Sequence, residues 1–531
     1  MNNTAWGMRG IAVAPHALAA QSAVAVLREG GNALEAMIAA AATIAVVYPH
    51  MNGIGGDSFW LLHAPGTGVR GIDASGAAGR NVSRALYADR GLDAIPMRGP
   101  LAANTVAGTI SGWNKALEIA AEWGGRLPLA RLLADAMHYA RNGIPVTVSQ
   151  AASTQAKFSE LAPQPGFSET FLVGGAPPRP GSVFKQPRLA AALEQLVRAG
   201  LDDYYRGDLA RSIAADLAAV GSPLTLDDLE SHRACEVKPL ALRHSRGTVY
   251  NMTPPTQGVV SLAILGVLDR LGIDKLDPLS ADYVHFAVEA TKQAFRVRDR
   301  YVTDPAYMQV DAQSLLAPEE LDELTAQVDA SRAYPWGGAT TTGDTVWMGV
   351  IDGQGRAVSF IQSIYHEFGS GVVLPHTGIN WQNRGCSFSL DPAALNALEP
   401  GRKPFHTLNP ALALLDDGRS MVYGTMGGDG QPQTQAAVFT RYAMMNMGLQ
   451  AAVSAPRWLL GRTWGSMSES LKLESRFAPE VVQSLRARGH VVDVIGAYDE
   501  TVGHAGALVR HSHGVMEGAF DPRSDGGVAA F

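Results

Sequence analysis

The chain is 531 residues long with 46% hydrophobic and 18% charged residues, ample material for a large folded core and too apolar for a disordered chain. Its 43 Lys and Arg stand against 50 Asp and Glu, a formal net charge of −7 without runs of one sign, which excludes a basic field for nucleic acid or acidic membranes. Two cysteines, Cys235 and Cys386, exclude a disulfide framework or a thiolate metal cluster and point to a reducing compartment, the cytoplasm.

The first ten residues lack a basic stretch followed by an apolar core, so no secretory signal is expected. Ile11 to Ala14 reads as a short strand and Ala17 to Glu29 as a helix stopped by Gly30 and Gly31. Ala33 to Val47 is apolar and alanine-rich, too short to span a bilayer, and reads as a helix buried in the core. The run His50-Met-Asn-Gly-Ile-Gly-Gly-Asp57 then leads into a strand over Ser58 to His63. Its glycines let backbone approach either a ligand or a neighbouring strand. Gly71 to Ser75 is a further short strand.

From Leu101 to about Leu321 the pattern is mostly helical, with helices expected over Gly112–Trp123, Leu129–Asn142, Pro187–Ala199, Asp208–Val220 and Ser280–Tyr301. Thr225, three residues before Asp228, marks a capped helix start. His16, His50, His63, His138 and His232 lack metal-ligand spacing and are assigned structural or solvated roles.

The stretch Tyr334-Pro-Trp-Gly-Gly338 and the threonines up to Gly343 read as an exposed connector. Val346 to Ile351 and Arg356 to Ile361 are β-branched and aromatic runs around Asp352-Gly-Gln-Gly355, the signature of a hairpin. Thr345 therefore sits where loop meets strand. A threonine at a chain terminus carries its own base, the free α-amine, so Thr345 is a candidate nucleophile if the Asp344–Thr345 bond is cut by an N-to-O acyl shift. Ordinary β propensity is the competing account of the same residue.

Farther on, Gly369–Leu374 and Gly378–Gly385 read as loop, strand and loop. Strands are expected over Ala411–Leu415 and Ser420–Tyr423, and a helix over Thr434–Asn446. Between the last strand and that helix, the amides of Gly427 and Gly428 can converge on a developing negative oxygen, or the glycines can serve packing. Gly-x-Ser-x-Gly, His-Glu-x-x-His and phosphate-loop motifs are missing from the sequence.

Together these stretches resemble the γ-glutamyltransferase family of N-terminal nucleophile hydrolases. The resemblance runs from Gly30-Gly-Asn-Ala33 and Gly53-Ile-Gly-Gly56, through Val106-Ala-Gly-Thr-Ile-Ser-Gly112, to Asp521-Pro-Arg-Ser-Asp-Gly526. It implies a four-layer α-β-β-α sandwich made from one precursor, with residues 1–344 as a large, partly helical subunit and 345–531 as a small one that stays interwoven with it. Thr345, Asp352 and Gly355 match the family's Thr-x(6)-Asp-x-x-Gly segment. Ser363 falls on the hydroxyl that supports the nucleophile, and Gly427 and Gly428 on the paired-glycine oxyanion site. No metal or organic cofactor is implied, and a homo-oligomer is expected by analogy.

Departures from the family pattern bear on the substrate. Ser75 stands where a γ-glutamyltransferase has an arginine for the substrate α-carboxylate, and Ser387 where it has an acid for the α-ammonium. Tyr365 replaces an asparagine, and His406-Thr407 a pair of serines. Losing one partner of a buried charge typically costs several kcal/mol, so recognition of a zwitterion should be weak. Asn383-Arg384-Gly385 and Phe405-His-Thr-Leu-Asn-Pro410 resemble the acylase-like branch. The 48–57 stretch looks most like members that hydrolyse oxamate to oxalate and ammonia. The expectation is an autoprocessed amidohydrolase of small carboxylate-bearing amides, with Tyr365, Arg384, His406 and Thr407 shaping the pocket. Arg384 is either the carboxylate partner or half of an internal salt bridge, and His406 is alternatively a supporting hydrogen-bond donor. Two other readings stay open: a γ-glutamyl or glutaryl acylase, and an unprocessed binding protein.

Overall fold

The computed structural model describes residues 3–337, 343–461 and 468–531. Residues 338–342 of the expected connector lie outside them. Two seven-stranded sheets face each other, and every named strand pair in both is antiparallel. One runs Ala5–Gly7, Met516–Phe520, Gly506–Arg510, Ser420–Gly424, Ala411–Leu415, Gly247–Asn251, Leu240–His244 from edge to edge. The other runs Gly527–Ala530, Gly10–Ala14, Asp344–Asp352, Ala357–Tyr365, Asp57–His63, Arg70–Ala74, Cys235–Val237. Segments from both sides of residue 344 thus alternate within one hydrogen-bonded sheet.

Alternation along the strands builds the layers. Ile11, Val13, Phe59, Leu61, Trp347 and Ile361 point from the second sheet toward Leu412, Val422 and Leu508 of the first. The opposite face of the second sheet carries Trp60, Met348, Val350, Val358 and Phe360 against the helices Ala17–Arg28, Ala33–Val47 and Thr109–Glu122. Helices Gly258–Leu271, Ala281–Tyr301 and Gly430–Phe439 cover the first sheet. The result is the α-β-β-α sandwich expected. Helix Ala33–Val47 is buried at every position and starts with a capping box of Asn32 and Glu35.

Several boundaries differ from expectation. The 129–142 helix is divided at Leu133 into Leu129–Leu132 and Ala134–Asn142, with Leu132 and Leu133 both wholly buried. The largely helical 101–321 region also contains five short strands, two of which, Gly247–Asn251 and Leu240–His244, end the first sheet. In Leu240–His244, buried Leu240, Leu242 and His244 alternate with Ala241 and Arg243, a period-two pattern too short to stand out among helices. No strand forms over 369–385. Gly369, Gly371 and Gly378 take positive φ and turn the chain repeatedly, leaving isolated bridges between Val373 and Asn380 and between Trp381 and Gly55. The helix expected from Thr434 starts at Gly430 and closes with a π turn over Thr440–Met444.

Candidate active site

The hairpin Asp344–Asp352 and Ala357–Tyr365 sets the centre. Its register pairs Asp344 with Tyr365 and Val346 with Gln362, and the irregularity between them sits at Thr345. Thr345 is buried, and its Oγ1 donates to Ser363 Oγ at 3.1 Å. Ser363 Oγ also accepts from the Tyr365 amide at 2.8 Å, a contact made while Tyr365 holds the left-handed φ of 80°. Gly56 is glycine because its neighbour is this strand: a Cβ there would lie 2.0 Å from the Ser363 carbonyl oxygen. Of the two accounts of the 53–56 glycines, close strand approach holds at this position.

Tyr365 carries the site toward charge. The Arg384 guanidinium lies 3.8 Å over its ring centroid, and Arg384 Nη1 donates to Thr407 Oγ1 at 3.5 Å. Arg384 is buried, its Nη2 has no hydrogen-bond partner, and burial pulls it down to about 10. It makes no ion pair among the described residues, so the internal salt bridge is not found there. Burial likewise pushes the Tyr365 phenol up to about 12, leaving it neutral at ordinary pH.

His406 and Thr407 arrive from the loop that enters strand Ala411–Leu415. The Gln257 side chain fixes that loop: its Nε2 donates to the Thr407 and Gly428 carbonyls at 2.9 Å each, joining His406-Thr407 to the glycine pair. His406 is fully buried, stands edge-on to Phe59 with centroids 5.0 Å apart, and is kept neutral by burial with further push from Arg384 and Lys403. Gly427 and Gly428 follow strand Ser420–Gly424, whose last residue lies under the Trp347 ring, two residues from Thr345. Their φ values are 115° and 53°, and neither amide donates to a described residue. Two unused N–H groups ahead of helix Gly430–Phe439 can hold an anionic oxygen.

Ser75 and Ser387 turn inward. Ser75 Oγ donates to Asp73 Oδ1 at 2.6 Å and Ser387 Oγ to the Phe405 carbonyl at 3.2 Å, so neither supplies a charge for a zwitterion. Asp57, which sequence reasoning left unassigned, enters the site instead. It is the cross-strand partner of Ser363, and its Oδ2 lies 3.5 Å from His406 Nε2. Burial pushes its carboxyl up to about 7, against the Gly76 amide, Arg384, the Gly108 amide and Gln382, which favour ionisation. The one sequence signal was an acid directly after a glycine run at a strand start.

Ligand atoms of His285, Glu289 and His490 approach within 4.8 Å of one another, a set the sequence spacing did not suggest. Lys292 Nζ already lies 2.7 Å from Glu289 Oε1 and the two imidazoles bond each other at 2.8 Å, so the set is self-satisfied. Its work is to hold Tyr334, whose amide donates to Glu289 at 2.9 Å and whose carbonyl accepts from Lys292 at 2.7 Å. That anchors the chain shortly before Thr345. His16 caps a helix through Leu18 N, and His50 Nε2 meets Ser149 Oγ at 3.0 Å, structural roles as expected.

The family model described as gamma-glutamyltranspeptidase matches residues 19–531. The oxamate amidohydrolase proenzyme of Klebsiella pneumoniae is 60% identical over 532 residues, with 100% of both chains covered. The glutathione hydrolase-like YwrD proenzyme of Bacillus subtilis is 41% identical, covering 99% of each. Among solved structures, cephalosporin acylase from Bacillus halodurans superposes with a TM-score of 0.91 at 33% identity, over 100% of this chain and 97% of that one. A match over nearly all of the sequence, with the sandwich it predicts, means that the chain belongs to the gamma-glutamyltranspeptidase family.

Proposed function

We propose that the chain is a precursor that cuts itself between Asp344 and Thr345 and then hydrolyses a small carboxylate-bearing amide, oxamate, to oxalate and ammonia. The observation that carries this reading is the Thr345–Ser363 hydroxyl pair, tied through Tyr365 to a buried Arg384 that has an unpartnered Nη2. A buried cation without an ion-pair partner is costly, burial pushes the nearby Asp57 carboxyl toward its neutral form, and a substrate carboxylate supplies the counter-charge. The name borne by the Klebsiella relative supports oxamate as that substrate.

Cleavage gives Thr345 a free α-amine, whose ordinary pKa of about 7.7–8.0 suits a base at neutral pH. The amine takes the hydroxyl proton as Oγ1 attacks the amide carbonyl, and Ser363 fixes the direction of Oγ1. The Gly427 and Gly428 amides hold the oxyanion, the Thr345 α-ammonium returns its proton to the amide nitrogen as the C–N bond breaks and ammonia leaves, and water, deprotonated by the same amine, hydrolyses the ester to regenerate Thr345. Every step uses the chain's own groups and water. Unpaired Cys235 and Cys386 fit a reducing, cytoplasmic setting. Among the described residues no helix is long and apolar enough to cross a membrane.

The test is the denaturing intact mass of the purified protein beside Thr345→Ala, followed by ammonia release from oxamate. The wild type should give two fragments, the smaller starting at Thr345, while the variant stays whole. A wild type that keeps its full mass leaves no free amine and overturns the mechanism. Fragments that release glutamate from a γ-glutamyl anilide in place of ammonia from oxamate would transfer the site to the acylase reading.

A further inference from the structure

Asp57 opens the strand Asp57–His63 opposite Ser363, so the two side chains stand on one face of the sheet. Its oxygens are used unequally. Oδ1 accepts from the Gly76 and Gly108 amides at 3.0 Å each, while Oδ2 has no hydrogen-bond partner and faces His406 Nε2 across 3.5 Å. Both ring nitrogens of His406 are buried and unpartnered as well. Buried polar atoms left open on both sides of one short gap are costly unless substrate or a small ring movement completes them.

A neutral imidazole carries one hydrogen. With Oδ2 ionised, Nε2–H donates to it and Nδ1 is a bare acceptor. With Oδ2 protonated, the acid donates to Nε2 and the hydrogen sits on Nδ1. The titratable and charged groups facing this pair are Arg384, Tyr204 and Tyr205 around Asp57, with Lys403 acting on His406. Both tyrosines are held neutral by burial, so Arg384 is the charge that opposes the protonated acid.

We propose that Asp57 is a specificity-determining positioning residue for anionic substrates: in its protonated form it makes His406 a hydrogen-bond donor toward the pocket and leaves the charge of Arg384 to the substrate carboxylate. This rests on the proposed hydrolysis. An ionised Asp57 repels a substrate carboxylate and competes with it for Arg384. Binding an anion therefore takes up a proton, and binding a neutral amide does not.

The experiment measures ammonia release by the processed enzyme from oxamate and from its neutral counterpart oxamide between about pH 6 and 8.5. The variant is Asp57→Asn, whose Oδ1 keeps the bonds from Gly76 and Gly108 while Nδ2 copies the acid proton toward His406. The carboxyl titrates at about 7. Above it, the wild-type KM for oxamate should rise about tenfold per pH unit, as a one-proton requirement dictates, while the oxamide KM stays level. In Asp57→Asn the oxamate KM should become flat. The Thr345 amine moves kcat for both amides alike, so the split between KM and kcat separates the two groups.

A rise in Asp57→Asn like that of the wild type overturns the inference, and so do parallel oxamate and oxamide KM profiles, which need no variant to be seen. Should oxamate yield no ammonia, the proposed function falls first. Calorimetry of oxamate binding in two buffers of different ionisation heat then decides: proton uptake sustains the role of Asp57, and binding without uptake, or no binding, removes it.

Discussion

Gly427 has room for a methyl group, since a Cβ would lie 3.5 Å from Gly503 Cα, but its φ of 115° is one that side chains rarely adopt. Gly427→Ala therefore turns the amide rather than crowding the core. The expected loss is about 10²–10³-fold in kcat for ammonia release, the effect of removing one oxyanion donor, with thermal unfolding little changed. A variant with full kcat would take Gly427 out of the oxyanion role. Thr345, Gly427 and Gly428 stand out in the sequence as candidates because each falls at a strand end or in a glycine turn, but packing and β propensity explain them equally well there, and Ser363 is legible only through the resemblance to the family. Asp57 was not legible. Its meaning comes from Ser363 across the sheet and His406 from the facing one, and no local pattern encodes contacts at separations of hundreds of residues.

At the scale of elements, Asp352 shows what the Thr-x(6)-Asp-x-x-Gly spacing holds together. Its Oδ1 accepts from the Gln354 and Arg356 amides at 2.9 and 3.1 Å, and its Oδ2 from Arg356 Nε at 2.6 Å and the Ala33 amide at 3.0 Å. One carboxylate thus closes the hairpin turn and meets the positive end of the buried helix Ala33–Val47. Asp352→Asn places an NH₂ group against two donors and should cost about 1–3 kcal/mol, read as a lower urea midpoint with an unchanged slope. An unchanged midpoint would make the turn, not the carboxylate, the tie. The hairpin and the buried helix were plain in sequence because each is a long continuous run of one character, β-branched and aromatic around a glycine turn in the hairpin and alanine-rich and apolar in the helix. The 240–251 strands were hidden by their shortness, and the 369–385 loops by buried valines that imitate a strand while glycines turn the chain.

For the whole molecule, the antiparallel sandwich brings many ionisable groups out of water, and their balance sets its response to acid. Burial lowers His16 to about 4 and His232 to about 3, and, with help from Lys292, His490 to about 3. His50 and His366 are also lowered by burial. A histidine with a depressed folded pKa contributes stability that is complete above its unfolded value near 6.5 and is lost as pH falls toward the folded value. Asp57, Asp299 and Asp525 have the opposite sign, since a carboxyl raised by burial stabilises the fold on acidification, for Asp57 from about 7 toward 4, but they are fewer than the lowered histidines. Asp521 adds to the loss at lower pH. Burial would raise it, yet Arg457 and Arg523, 2.6 and 2.9 Å away, hold it at about 2, so its contribution disappears between about pH 4 and 2. Each group is worth up to about 1.4 kcal/mol per pH unit inside its window, so the histidines outweigh the raised carboxyls below about pH 6.5. The thermal midpoint of the processed protein should accordingly fall between pH 7 and 5 and drop further below 4. A midpoint that holds or rises from pH 7 to 5 would mean that these imidazoles take up protons within the fold.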